Sequence, residues 1–196
     1  SSDLVGSVQF DPYFEVYSAV DERAAAFMAC GLAEESGEPV VLTCTGATAS
    51  RNYIPGLTEA YYRHLPVLAV TSTQHTGRVG NYVAQVIDRS EQFPDMAKKS
   101  IQLPTVYSEE DKQHTITAVN DALLELVHGN AGPVHINLIT TYSNGFNTKE
   151  LPKYRTIRRV VDKDYPELPN GNIGIFVGAH AKFSEEETEA IDKFCE

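Results

Sequence analysis

Two hydrophobic rhythms alternate along the chain. Short apolar runs recur at Pro39–Thr43, Pro66–Thr71 and Pro133–Leu138, with a shorter, more polar one at Lys99–Leu103. Such runs read as strands covered on both faces. Between them lie stretches that read as helices. The clearest cases are Asp21–Ser36, the stretch from Pro55 through Tyr62, and the stretch from Ser108 to near Gly129, where Ile116, Val119, Leu123, Leu124 and Val127 fall at helical spacing. Strands separated by helices predict an α/β fold: a parallel sheet with right-handed crossovers, flanked by helices on both faces.

End signals sharpen several boundaries. Asp21 is placed to cap the first long helix, Gly37 to end it in the left-handed conformation, and Pro39 to stop its continuation. Pro55 suits a helix first turn. Ser108 with Asp111, and Ser184 with Glu187, have capping-box spacing. Four further elements are expected: a helix in Ser1–Phe10, ended by Asp11-Pro12; a strand at Glu15–Ala19; and short helices at Asn81–Ile87 and Glu91–Ala97.

The rhythm breaks after Thr140. Residues 141–172 hold Pro152, Pro166 and Pro169 among several charges and read as an interdomain linker. A strand at Ile173–Val177, a loop and a capped helix follow. A lone strand–helix pair cannot bury its own core, so residues 173–196 read as the start of a truncated second α/β domain. The first domain is then 1–140.

Composition narrows the function classes. The formal charge is −11, and no Lys/Arg cluster exceeds Arg158-Arg159, which argues against a nucleic-acid binder. No run approaches the ~20 apolar residues of a membrane span. No signal peptide is visible, although the chain starts at Ser. Cys30, Cys44 and Cys195 lack paired spacing and are expected to be buried free thiols in a reducing, cytoplasmic setting. A nucleophilic Cys44 lacks an obvious base nearby.

Candidate chemistry gathers in Ser18–Asn52. Glu22 follows a strand end and opens an Ala-rich helix. A first-turn glutamate can simply complement the helix dipole. Strand ends are also where open parallel sheets place ligands. The turn Thr45-Gly46-Ala47 is small enough for a ligand to approach its backbone, or is only a tight connection. Asn52 suits a helix-start cap. His75 and Arg78 lie in a polar loop after the apolar run Pro66–Thr71, and Gln85 lies on the expected short helix. His135, inside an apolar strand, reads as a satisfied core histidine. Neither the GxGxxG nor the GxxxxGK[ST] phosphate loop occurs.

The run DERAAAFMACGLAEESGEPVVLTCTGATASRNYIPGLTEAYYRHLPVLAVTST, closed by GPVHINL, resembles the N-terminal pyrimidine-binding domain of thiamine diphosphate-dependent enzymes. It is more similar to the menaquinone-pathway 2-succinyl-5-enolpyruvyl-6-hydroxy-3-cyclohexene-1-carboxylate synthases than to acetolactate synthase or the 2-oxo-acid decarboxylases. The resemblance implies the thiamine diphosphate-binding fold, with the domain's first strand lying before Ser1. It implies that Glu22 activates the cofactor by hydrogen-bonding N1′ of its aminopyrimidine. Thr45, Gly46, Ala47 and Asn52 would line that ring. Gln85 would reach the substrate side, and His75 and Arg78 could meet a carboxylate. A small 2-oxo acid is the implied substrate, decarboxylated with protonation or transfer of the resulting carbon.

The resemblance also implies a homodimer or homotetramer, seamed by the Ala-rich face of Asp21–Ser36 and by Tyr61-Tyr62. Diphosphate and Mg2+ would be held by a C-terminal domain of a neighbouring subunit. The Gly-Asp-Gly…Asn motif of that domain is not in this chain, so no metal ligands are expected here. The third strand runs into Ser72-Thr73-Gln74-His75, where the menaquinone synthases have an Asp-Arg-Pro turn. The substrate therefore stays open between a synthase, a carboligase and a simple decarboxylase. The alternative is a non-catalytic binding or oligomerisation module that keeps the fold.

Overall fold

A computed structural model describes residues 2–90, 92–141, 153–160, 167–168, 170–179 and 181–195. The described elements of the first unit are α1 (Ser2–Val8), α2 (Glu22–Ser36), β1 (Val40–Thr43), a 3-10 helix (Ala47–Tyr53), α3 (Ile54–Tyr62), β2 (Val67–Thr73), a short 3-10 turn (Thr76–Arg78), β3 (Lys99–Leu103), α4 (Glu109–Val127) and β4 (Val134–Ile139). The chain divides into Ser1–Arg159 and Val160–Glu196.

The strands form one four-stranded sheet in the order β1-β2-β4-β3, with every pair parallel. Register aligns Val40 with Val67, Leu68 with Val134, and Lys99 with Val134. The step from β1 to β2 and the step from β3 to β4 run in opposite directions across the sheet. Right-handed crossovers must then place their helices on opposite faces, and they do. Leu57 and Ala60 of α3 pack with Leu42, Val67 and Ala69, together with Ala26, Ala29, Cys30 and Ala33 of α2. Ala122 and Leu126 of α4 pack with Leu68, Leu103, Val134 and Ile136 on the other face. The alternation of Val67 and Ala69 against Leu68 is the period of two expected of a strand buried on both sides.

Helix ends follow their caps. The Asp21 carboxylate accepts from the Ala24 amide at 2.8 Å, and Gly37 ends α2 at φ 71°. Ser108 and Asp111 form a reciprocal capping box on α4. Pro55 occupies the first turn of α3, where its missing N–H leaves no partner wanting.

The small residues of α2 have a definite use. Ala26, Ala29, Cys30 and Ala33 are buried inside the chain against α3 and the sheet. A β-carbon on Gly56 would lie 2.5 Å from Ala26 Cβ and 2.9 Å from the Ala26 carbonyl carbon. The two helices therefore meet backbone to backbone, and the Cys30 thiol donates to the Gly56 carbonyl at 3.2 Å. This corrects the expected dimer seam, because the Ala-rich face is covered within the chain itself.

Other expectations also need correction. Residues 15–19 pair with no described strand, and Phe14, Val16, Tyr17 and Val20 are exposed. A strand needs a ladder partner to take up its backbone groups. Residues 81–87 and 92–97 are turns and irregular chain rather than helices. Gly80, just before the first stretch, and Tyr82 and Gln85 within it have positive φ, which interrupts a right-handed helix at 81–87. Cys44 is half-buried and Cys195 exposed, so only Cys30 is a buried thiol.

Part of the expected linker, 142–152, 161–166 and 169, lies outside the described residues. Its described stretch 153–159 lies along α4. Asn120 donates to the Arg155 carbonyl at 3.1 Å and accepts from the Ile157 amide at 2.7 Å, and Arg159 pairs with Glu125 at 3.1 Å. In the second unit, Ser184 and Glu187 cap α5 (Glu185–Cys195) reciprocally. Residues 173–177 pair with no described strand and so are not the expected strand.

The α2–α3 contact is testable. Gly56→Ala places a methyl group where none fits and is expected to destabilise the protein by about 1–3 kcal/mol. Gly31→Ala, on α2 with nothing within 4 Å, is expected to be neutral or to stabilise by up to about 1 kcal/mol. Urea unfolding measures both, and equal effects would contradict the packing described.

Candidate functional site

The C-terminal ends of β1 and β2 lead into the residues of interest. Gly46 precedes the 3-10 helix in an extended conformation, and Ala47 turns left-handed at φ 57°. That conformation costs a non-glycine residue about 1–2 kcal/mol, so neighbouring groups must hold it. The Ala47 carbonyl accepts from the Ser50 hydroxyl at 3.0 Å and from Arg89 Nη2 at 2.8 Å. The turn runs on to Asn52, whose amide donates to Glu22 Oε2 at 3.3 Å. Glu22 sits half-buried in the first turn of α2, and no described residue donates to its Oε1.

Gln85 reaches the same place from the segment after β2. A β-carbon on Gly46 would lie 3.6 Å from both the Gln85 carbonyl oxygen and its Oε1. Gln85 itself is left-handed at φ 61° and exposed. Arg51 Nη2 donates to the Asp88 carbonyl at 2.6 Å and ties the two segments a second time.

The structure thus brings Glu22 to Asn52, and Gln85 to Gly46 next to Ala47. Thr45 is exposed at the edge of the turn. His75 and Arg78 lie apart on the exposed loop after β2. His75 Nδ1 accepts from the Gly77 amide at 3.1 Å, and Arg78 bonds to Gln74. Neither has a described bond to the Glu22 group.

Below the turn, Tyr53 is buried, and burial, with Cys44 and Glu22 near, pushes its phenol far up. Burial likewise raises the Cys44 thiol, which removes the thiolate that a nucleophile needs. The sheet face beneath α2 and α3 turns polar towards β3. Thr71 Oγ1 donates to Asn137 Oδ1 at 2.9 Å and stands 2.8 Å from His135 Nε2. A hydroxyl has one proton, so Thr71 must accept from His135, which fixes the proton on Nε2. Ser100 then donates to Nδ1 at 2.8 Å, and Asn137 donates to Gln102 Oε1 at 3.0 Å. His135 is buried and bonded at both nitrogens, as a core histidine should be. Burial, with Arg89 and Arg51 nearby, holds its pKa down to about 4.

Arg89, at 2 % exposure, is the group that periodicity could not find. It lies in irregular chain, where no repeat marks a buried position. The charged run Asp88-Arg89 next to Ile87 is the only trace in the sequence.

Among the described residues no group of three or more His, Cys, Asp or Glu could hold a metal ion. No described helix is long and apolar enough to cross a membrane.

Residues 2–92 match the family described as thiamine pyrophosphate enzyme, N-terminal TPP binding domain. The chain is similar to 2-succinyl-5-enolpyruvyl-6-hydroxy-3-cyclohexene-1-carboxylate synthases. It is 35% identical over 174 residues to that of Bacteroides thetaiotaomicron, covering 86% of this chain and 31% of the relative. It is 36% identical over 161 residues to that of Phocaeicola vulgatus, covering 79% and 29%. The Haloarcula marismortui protein is 35% identical over 138 residues, covering 70% and 23%. The chain therefore spans under a third of the length of these curated relatives.

The buried histidine predicts an acid limb in stability. An unfolded imidazole takes up its proton near 6.5, while His135 resists until about 4. The unfolded chain thus binds more protons between these values. The neutral histidine's contribution is complete above 6.5 and is lost as pH falls towards 4. The loss is on the order of 3 kcal/mol. Urea unfolding at pH 7 and 4.5 is expected to show it, and His135→Gln to flatten it. Identical slopes would contradict the assignment.

Proposed function

This chain belongs to the thiamine pyrophosphate enzymes as an N-terminal TPP binding domain, and we propose that Glu22 is the residue through which it activates the cofactor. The observation that carries this reading is the placement of the Glu22 carboxylate. It opens α2, is held through Oε2 by Asn52, and stands by the turn that bears Gly46 and Ala47. A half-buried carboxyl with an open oxygen suits a basic ring nitrogen, and a turn without bulky side chains suits a flat ring.

Glu22 would hold a proton at its carboxyl group against N1′ of the aminopyrimidine. General acid–base work of this kind is commonly worth ~10²–10⁴-fold. Asn52 orients the carboxylate, while Thr45, Gly46 and Ala47 line the ring. Bound thiamine diphosphate supplies the nucleophilic carbon and the electron sink for decarboxylation of a 2-oxo acid. Gln85, packed beside Gly46, faces the substrate side. His75 and Arg78, exposed on the next loop, are available to a substrate carboxylate.

Mg2+ and the diphosphate would be held by a C-terminal domain of a neighbouring subunit in a cytoplasmic homodimer or homotetramer. Since the alanine face of α2 is covered within the chain, a seam on this helix would use exposed Phe27 and Met28, with Tyr62 beyond. The relatives named above are all synthases of one name, which favours a small 2-oxo-acid substrate and transfer of the decarboxylated fragment to an acceptor.

Thiamine diphosphate titrated into the full protein should give saturable, magnesium-dependent heat. Glu22→Gln should lower 2-oxo-acid decarboxylation by at least about 10²-fold while changing cofactor affinity far less. Wild-type turnover in that variant would overturn the role of Glu22. A folded wild-type protein that binds no cofactor would point instead to an assembly module.

A further inference from the structure

Arg89 is a buried charge beside the candidate site, outside the groups that would meet the cofactor or substrate. A guanidinium taken out of water must be compensated by its partners, and among the described residues it forms no ion pair with a carboxylate. Its Nε donates to the Ser50 hydroxyl at 2.8 Å, and its Nη2 donates to the Ala47 carbonyl at 2.8 Å. The Ser50 hydroxyl in turn donates to the same carbonyl at 3.0 Å. Nη1 has no hydrogen-bond partner in the described structure. Two donors of one rigid fork therefore grip one turn, at the residue that turns left-handed. Lysine carries its donors on a single nitrogen and cannot reproduce that planar fork.

The grip acts across the two segments that make the candidate site. Arg89 and Gln85 come from one of them, Ala47, Ser50 and Asn52 from the other. Arg51 returns a bond to the Asp88 carbonyl at 2.6 Å. The Gln92 side chain closes the base by donating to the Arg89 carbonyl at 2.9 Å. Gln85 lies against Gly46 at the far end of the tie. We propose that Arg89 is a positioning residue for the cofactor site, locking the left-handed turn at Ala47 and so keeping Gln85 beside Gly46. This rests on the reading of that turn as the face presented to the aminopyrimidine.

The test uses Arg89→Gln and Arg89→Lys in the full protein, with Ser50→Ala as a milder variant should the buried substitutions fail to fold. Amide hydrogen exchange without cofactor is the first readout. In Arg89→Gln the amides of 47–52 and 85–88 are expected to exchange at least about tenfold faster, with those of α4 unchanged; Lys should recover part of the protection, and Ser50→Ala should lose part of it. Thiamine diphosphate affinity with magnesium is the second readout, expected to weaken about tenfold in Arg89→Gln, with partial rescue by Lys. Unchanged local exchange, or faster exchange everywhere including α4, would overturn the tie. Faster local exchange with wild-type affinity would overturn its role towards the cofactor. Wild-type protein that binds no cofactor would instead overturn the function proposed for the turn, and the role of Arg89 with it, whatever the exchange shows.

Discussion

At Ala26 and Gly56 two helices touch without room for another methyl group. A β-carbon on Gly56 would approach Ala26 Cβ to 2.5 Å. Such a contact fixes one crossing and one register, because a slide in either direction drives backbone into backbone. The bond from the Cys30 thiol to the Gly56 carbonyl sets the same register one turn further along α2. One turn before Ala26, α2 begins at Glu22. The 3-10 helix that leads into α3 carries Asn52 four residues before Gly56. Docking the helices at this point therefore delivers the carboxylate to the amide. Packing of small residues is here what positions the polar chemistry.

The sheet adds a second constraint through its two faces. The face under α4 is apolar across β2, β4 and β3. The opposite face is apolar under α2 and α3 and turns polar through Thr71, His135 and Asn137. Those buried groups satisfy one another in a single chain of bonds from Ser100 to Gln102, which is what makes them tolerable in a dry interior. A protonated His135 would break that chain, since Nδ1 could no longer accept from Ser100. Burial and the neighbouring arginines both oppose that proton. The polar strip thus works as a neutral floor near the turn that carries the site.

Much of this was legible in residues whose effects are local. Asp21, Gly37, Pro55, Ser108 and Ser184 mark helix ends because caps act within one turn. The apolar runs of β1, β2 and β4 mark strands because both faces of each are constrained. Legibility fails where tertiary contact decides. The strand expected at 15–19 finds no described strand to pair with. Residues 81–97 have helix-compatible composition in part, yet Gly80, Tyr82 and Gln85 take positive φ. The pairing of Glu22 with Asn52 spans 30 residues and that of Arg89 with Ala47 spans 42. No spacing rule reaches so far. The alanines of α2 were visible, but whether they meet a neighbouring helix or a second subunit depends on Gly56, which only the folded chain brings beside them.

We propose above that the Glu22 carboxyl group, held by Asn52, activates the cofactor. The most direct measurement is the exchange of the thiazolium C2 proton of bound thiamine diphosphate with deuterated water, by rapid quench and proton NMR, in the absence of any substrate. With the Glu22 carboxyl group in place, exchange on the protein should outpace free thiamine diphosphate by orders of magnitude, and Glu22→Gln should return most of that gain. Equal exchange in wild type and Glu22→Gln, with the cofactor bound in both, would contradict the account.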